Sequence, residues 1–283
     1  SKRGRRMNEY TPLVSVDWVA ENGNNNAVRL VEVDVDTESY EKGHISNAVG
    51  WNWETQLQQH LSRDLISATE MKDLLEQSGI SNDTKIILYG DNNNWFAAWA
   101  FWQLKYYGHQ DVQLMDGGRV KWVADDKPLT TEVPQHPKGS YTIGEQNPSI
   151  RIYRDQLLSQ LDDKNLRLVD VRSNEEFTGQ FLAPPAFPQE GAQRAGHIPG
   201  AKSIPWGKAV NEDGTFKSID DLEELYGTQD INRSNDVVTY CRIGERAAHS
   251  WFVLTQLLGY ENVRNYDGSW TEWGSIVGAP IEK

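Results

Sequence analysis

The chain is written twice, and that duplication constrains its fold more than any other feature. Arg29-Leu-Val-Glu-Val-Asp34 returns as Arg167-Leu-Val-Asp-Val-Arg172, and Gly43-His-Ile-Ser-Asn-Ala48 returns as Gly196-His-Ile-Pro-Gly-Ala201. Ser67 and Ser218, Tyr89 and Tyr240, Gly108 and Gly259, and Asp116 and Asp267 all stand at one constant spacing of 151 residues. A period this long is no solenoid unit. It marks a duplicated domain.

Each copy reads as strands alternating with helices. Residues 28–33 and 166–171 are short β-branched runs of the kind buried in parallel sheets, as are 86–89 and 237–240, then 112–115 and 263–266. Ser67 and Ser218 read as N-caps, each with an acid three residues on for a capping box. Residues 95–107 and 247–258 read as amphipathic helices, and Gly108 and Gly259 follow them where a left-handed residue ends a helix. The fold class is therefore α/β, with two tandem domains, each a parallel sheet flanked by helices. The first is expected over residues 8–130 and the second over 150–283. Residues 131–149, with three prolines and two glycines, are the expected linker. The basic segment Ser1–Arg6 leads into no apolar run, so it is not read as a secretory signal; Met7 is the expected natural start.

Composition narrows the function. The net charge of −13 argues against a nucleic-acid partner, because phosphates would be repelled. No apolar run is long enough for a membrane span. One cysteine leaves no internal disulfide, which suits a reducing cytoplasm. Six scattered histidines and one cysteine show no metal-ligand spacing, so no metal is expected. The 11 tryptophans, in runs such as Trp51-Asn-Trp53 and around Trp95–Trp102, read as packing material, with Trp95 a candidate to line a cleft.

The two copies differ where it matters for chemistry. The first has Tyr89-Gly90-Asp91-Asn-Asn-Asn94, and the second has Tyr240-Cys241-Arg242-Ile-Gly-Glu-Arg246. A lone cysteine is often a small buried hydrophobe. Cys241, however, ends a parallel strand directly before a helix, the edge at which open α/β sheets bind ligands. A loop there can turn its N–H groups inward as an anion nest, and a helix N-terminus favours a thiolate. Arg242 and Arg246 add cations, and Gly244 allows a tight curl. Such a focus of positive charge in an acidic chain implies an anionic substrate. Cysteine-dependent phosphatases place five residues between Cys and Arg; here four, Arg242, Ile243, Gly244 and Glu245, lie between Cys241 and Arg246. The smaller ring suits a sulfur atom better than a phosphoryl group, and Glu245 would repel phosphate.

With the loop Cys241–Arg246, the segments Gly196–Ala201 and Leu168–Arg172, and Asp267-Gly-Ser-Trp270, the sequence resembles the rhodanese family, specifically its tandem thiosulfate sulfurtransferases. The resemblance implies two rhodanese-like domains with a silent first copy, and an active site near the domain interface. It also implies double displacement without a cofactor. The Cys241 thiolate would take the outer sulfur of thiosulfate, release sulfite, and pass the persulfide sulfur to cyanide, a thiol or a protein acceptor. Within the family Cys-Arg accompanies thiosulfate, so Arg242 favours that donor over 3-mercaptopyruvate. A persulfide carrier serving a partner protein is the alternative from another class. The segment Ser173–Gly179 lacks the arginine that grips the donor in many members, and Arg194 or Arg172 are the candidates to substitute. His44 and His197, and Asp116 and Asp267, occur in both copies and read as structural, as does His249, about two turns past the loop. Asp170 and its counterpart Glu32 are expected in ion pairs.

Overall fold

β-branched runs joined through helices have connections long enough for crossovers, and so pair in parallel. The computed structural model describes residues 10–188 and 191–283; Ser1–Arg6, Met7 and the expected domain start at residue 8 lie outside the described residues. The chain forms two units, Ser1–Glu145 with Asp213–Thr215, and Gln146–Glu212 with Phe216–Lys283.

In the first unit the strands are β1 (Leu13–Val14), β2 (Val28–Val33), β3 (Val49–Trp51), β4 (Lys85–Tyr89) and β5 (Val112–Met115). They form a parallel sheet in the order β1-β5-β4-β2-β3. Every residue of β2 is buried, as a central strand covered on both faces requires. The second unit holds β6 (Leu166–Asp170), β7 (Lys202–Ser203), β8 (Asp236–Tyr240) and β9 (Val263–Asn265), parallel in the order β7-β6-β8-β9. Asp170 of β6 stands opposite Tyr240 of β8, so both central strands end at one level.

Local signals in the sequence explain most boundaries. Ser67 and Glu70 close a reciprocal capping box, while Ser218 accepts from the Asp221 N–H. Gly108 and Gly259 have φ of +87° and +72° and end their helices. The helix expected over 95–107 follows a left-handed turn of Asn92, Asn93 and Asn94, a region asparagine tolerates better than most residues, and runs to Tyr106. The helix expected over 247–258 starts earlier, is α-helical over Glu245–Phe252 and continues as a π-helical segment, Val253–Leu257.

The tryptophans pack. Trp102 is fully buried, Trp53 stacks on Phe96 at 4.4 Å, and the Trp51 Nε1–H donates to Ser78 Oγ at 2.9 Å. The stretch expected as a linker has no regular structure up to the short 3-10 helix Pro148–Ile150, and residues 131–145 fasten to the first unit. Gly139 N–H donates to Glu76 O at 2.8 Å, and Tyr141 N–H to the Glu76 carboxylate at 2.9 Å. The buried Tyr141 hydroxyl meets His109 Nδ1 at 2.8 Å. Among the described residues no helix is long and apolar enough to cross a membrane.

Candidate active site

Cys241 follows β8 directly and is fully buried. After it the chain curls through Arg242 and Ile243, and Gly244 at φ +96° turns it into the helix that starts at Glu245. A Cβ at Gly244 would lie 2.6 Å from Asp267 Cα, so this turn needs glycine for space as well as for conformation. The curl aims a backbone donor at the sulfur: Gly244 N–H donates to Sγ at 3.0 Å, and the Ala247 N–H also favours its charged form. Cys241, Gly244, Glu245 and Arg246 thus come together as the loop spacing implies.

The C-terminal segment Asp267–Thr271 holds that curl. The Cys241 N–H donates to Ser269 Oγ at 3.1 Å, and the Ser269 hydroxyl donates to Tyr266 O at 2.8 Å. Trp270 N–H donates to Cys241 O at 3.0 Å, and Thr271 gives both its N–H (3.0 Å) and its hydroxyl (2.8 Å) to Arg242 O. Asn265 Nδ2–H donates to Gly244 O at 3.0 Å. Asp267 takes a two-pronged bond from Arg151, 2.8 Å on each arm, which ties this segment to the start of the unit. The Asp267-Gly-Ser-Trp motif is therefore the seat of the loop. The sequence marked the motif without disclosing that task.

The two loop arginines have different surroundings. Arg246 is buried and forms a two-pronged pair with Glu176, at 3.0 and 3.1 Å. Burial opposes charge on both partners, but the pair outweighs it: the Glu176 carboxyl lies below its usual range and the Arg246 guanidinium above its own. Glu176 stands inside Ser173–Gly179, so the segment lacking an arginine supplies instead the anion that braces one. Arg242 is also buried; its Nη2 reaches Glu245 Oε1 at 3.4 Å, and its Cζ lies 4.9 Å from the centre of the Phe187 ring.

These groups leave the thiol in a divided field. Burial pushes the Cys241 thiol up and Glu245 adds to that, while Arg246 and the Ala247 and Gly244 N–H groups pull it down. Burial prevails, so in this closed arrangement the thiol sits above its ordinary value. That differs from the thiolate expected from arginines and a helix terminus alone, because those signals carry no desolvation cost.

Arg194 and Arg172, the candidates for a donor-gripping arginine, are engaged elsewhere. The Arg194 guanidinium donates to three backbone carbonyls, Gly274 O (3.3 Å), Ala279 O (3.2 Å) and Ile276 O. Arg172 binds the Asp170 carboxylate at 2.8 Å and Gly196 O at 2.6 Å. Arg194 acts as a brace, giving Nε, Nη1 and Nη2 to fixed carbonyls, while Arg172 commits Nε and Nη2 to Asp170 and Gly196 O. The bond between Asp170 and Arg172 is the ion pair expected for Asp170, and Glu32 pairs with Arg119 at 2.9 Å. His44 and His197 lock turns: His44 bonds Tyr40 O and Glu132 O, and His197 bonds Phe177 O. His249 is buried against Trp206 and Phe216, away from any role as a base in solvent.

In the first unit the matching position is Gly90, and the difference goes beyond a missing thiol. A Cβ there would lie 1.9 Å from Val33 O. Asp91 takes over the loop, accepting the Val35 and Asp36 N–H groups at 2.7 and 3.1 Å. The backbone at this position therefore leaves no room for a side chain.

Comparison with known proteins agrees with this architecture. The rhodanese-like domain matches the chain twice, over residues 15–125 and 153–276. A Haloferax volcanii protein named "Putative thiosulfate sulfurtransferase" is 54% identical over 276 residues, with 96% of each chain covered. A Thermus thermophilus protein named sulfur carrier protein TtuD is 54% identical over 274 residues, again with 96% of each covered. Among solved structures, SseA of Escherichia coli, described with the rhodanese fold and catalytic mechanism of 3-mercaptopyruvate sulfotransferases, superposes with a TM-score of 0.80. It is 25% identical, with 92% of this chain and 99% of that one covered.

Proposed function

The chain belongs to the rhodanese family, whose domain it carries twice, and from that premise we propose that it moves the sulfane sulfur of thiosulfate through a persulfide on Cys241. The observation that carries this reading is the buried Cys241 sulfur inside a six-residue curl, with the Gly244 N–H donating to it at 3.0 Å. A persulfide anion needs such fixed donors and little room.

In the first step the Cys241 thiolate attacks the outer sulfur of thiosulfate. An S–S bond forms, the S–S bond of thiosulfate breaks, and its electron pair leaves on sulfite. In the second, cyanide or a thiol takes the terminal sulfur and the Cys241 thiolate returns. Arg242 supplies the positive charge for the incoming dianion, while Arg246, held by Glu176, fixes the far end of the curl. Neither step calls for a metal or organic cofactor, and a reducing compartment such as the cytoplasm would keep the thiol ready.

A second reading, a persulfide carrier for a protein acceptor, is favoured by the relative named as a sulfur carrier. Transfer from 3-mercaptopyruvate fits less well, because Arg242 suits a dianion; Arg242→Gly should weaken thiosulfate use more than mercaptopyruvate use. Intact-mass measurement after thiosulfate treatment tests the core claim. One added sulfur on the wild type and none on Cys241→Ser is expected. No adduct, or an adduct that survives the substitution, would refute it. Turnover with cyanide compared with transfer to protein acceptors then separates enzyme from carrier.

A further inference from the structure

Eight residues separate Asp34 from Gly43 in the first copy, whereas 23 separate Arg172 from Gly196 in the second. The added length carries Pro184, Pro185 and Pro188 around Phe187. Phe187 N–H donates to Pro184 O at 2.9 Å, closing a turn with Pro185 at its second position, where a fixed φ is favourable. This stiff turn sets the Phe187 ring on Arg242, 4.9 Å from its Cζ. Phe187 is half-buried and Arg242 only 2% exposed, so the ring is part of the cover over the cation.

We propose that Phe187 is a specificity-determining residue for the sulfur donor, selecting compact sulfur oxyanions over donors with a bulky substituent. The inference rests on the sulfurtransferase reading above. An aromatic ring stacked on a guanidinium takes up its face and not its in-plane N–H edge, which is where an oxyanion is recognised. By excluding water it also strengthens the attraction between the Arg242 charge and a small anion. The half-buried ring also takes up room beside Arg242 that a large group on a donor bound to this cation would need. The first copy has neither the insertion nor the thiol, so ring and nucleophile occur together.

The test compares two donors with the same chemistry and different bulk, thiosulfate and benzenethiosulfonate. In each, the Cys241 thiolate attacks the terminal sulfur and the S–S bond breaks to release sulfite or benzenesulfinate. Single-turnover persulfide formation is followed by intact mass, with circular dichroism to confirm folding. Phe187→Ala should slow thiosulfate about fivefold and speed benzenethiosulfonate, and Phe187→Tyr should restore both. Phe187→Leu, which keeps bulk without an aromatic face, should slow thiosulfate and still exclude the larger donor. Equal changes for both donors in Phe187→Ala, or wild-type thiosulfate rates in Phe187→Leu, would overturn the proposal. Alkylation of Cys241 by iodoacetamide and by N-phenylmaleimide gives a readout independent of sulfur transfer. Phe187→Ala should raise the larger reagent's relative rate, and an unchanged ratio would count against gating. If the wild type forms no persulfide with either donor, the sulfurtransferase reading fails, while the alkylation ratio still decides whether Phe187 guards the thiol.

Discussion

Replacing Asp34 with asparagine should stabilise the first unit, by an amount that grows with pH. Asp34 occupies the place of Arg172 in the repeat, beside the buried Glu32. Burial, then a hydrogen bond to Glu32 and the charges of Glu32 and Asp91, push its carboxyl up to about 10. In the unfolded chain it would titrate near 3.9. Folding therefore takes up one proton at neutral pH. The stabilisation from this proton is complete below about pH 4 and is lost as pH rises towards the folded value. Between these limits the loss is about 1.4 kcal/mol for each pH unit, which amounts to about 6 kcal/mol at pH 8 as an upper bound. The amide of Asp34→Asn would keep an acceptor for the Asp91 N–H, now at 2.9 Å, and offer a donor to Glu32 without binding a proton. Urea unfolding read by hydrogen exchange in peptides from β2 and β4, at pH 5 to 8, measures the difference. The Asp34→Asn advantage should widen with pH at roughly the slope above. A difference that does not change with pH, or a variant less stable at pH 8, would refute the reasoning.

Three further outcomes follow from the same geometry. Gly90→Cys should leave the first unit unable to form a persulfide and cost several kcal/mol, about what a forced backbone shift costs, because its Cβ would meet Val33 O; intact mass on a Cys241→Ser background and urea unfolding check both. Glu245→Gln removes a buried negative charge that raises the Cys241 thiol, so the pH midpoint of iodoacetamide alkylation should fall. Arg194→Met should lower stability by roughly 1–3 kcal/mol, the cost of stranding buried acceptors, while thiosulfate kinetics stay unchanged; a raised KM for thiosulfate would instead return Arg194 to the donor site.

The duplication, the positions of β2, β4, β5, β6, β8 and β9, and the edge that carries Cys241 were legible because they rest on local patterns, whereas the short β1, β3 and β7 carry no such pattern. A run such as Val28–Val33 is buried wherever it pairs, and a glycine after a helix ends it whatever lies beyond. The six-residue spacing of the loop was likewise readable, since a short curl leaves the backbone few choices. Glycine in place of cysteine at position 90 was visible too, but not the 1.9 Å approach of Val33 O that excludes a side chain there.

What the tertiary structure decided is the partner of each charge and the cover of each donor. Arg246 and Glu176 meet across 70 positions in sequence, Arg194 finds carbonyls 80 and 85 positions downstream, and Ser269 lies 28 positions beyond the cysteine it seats. Such pairs are set by which strands lie side by side and at what level their loops emerge. A linear pattern lists the charged residues but carries no measure of their distance or desolvation, and those two quantities govern the Cys241 thiol.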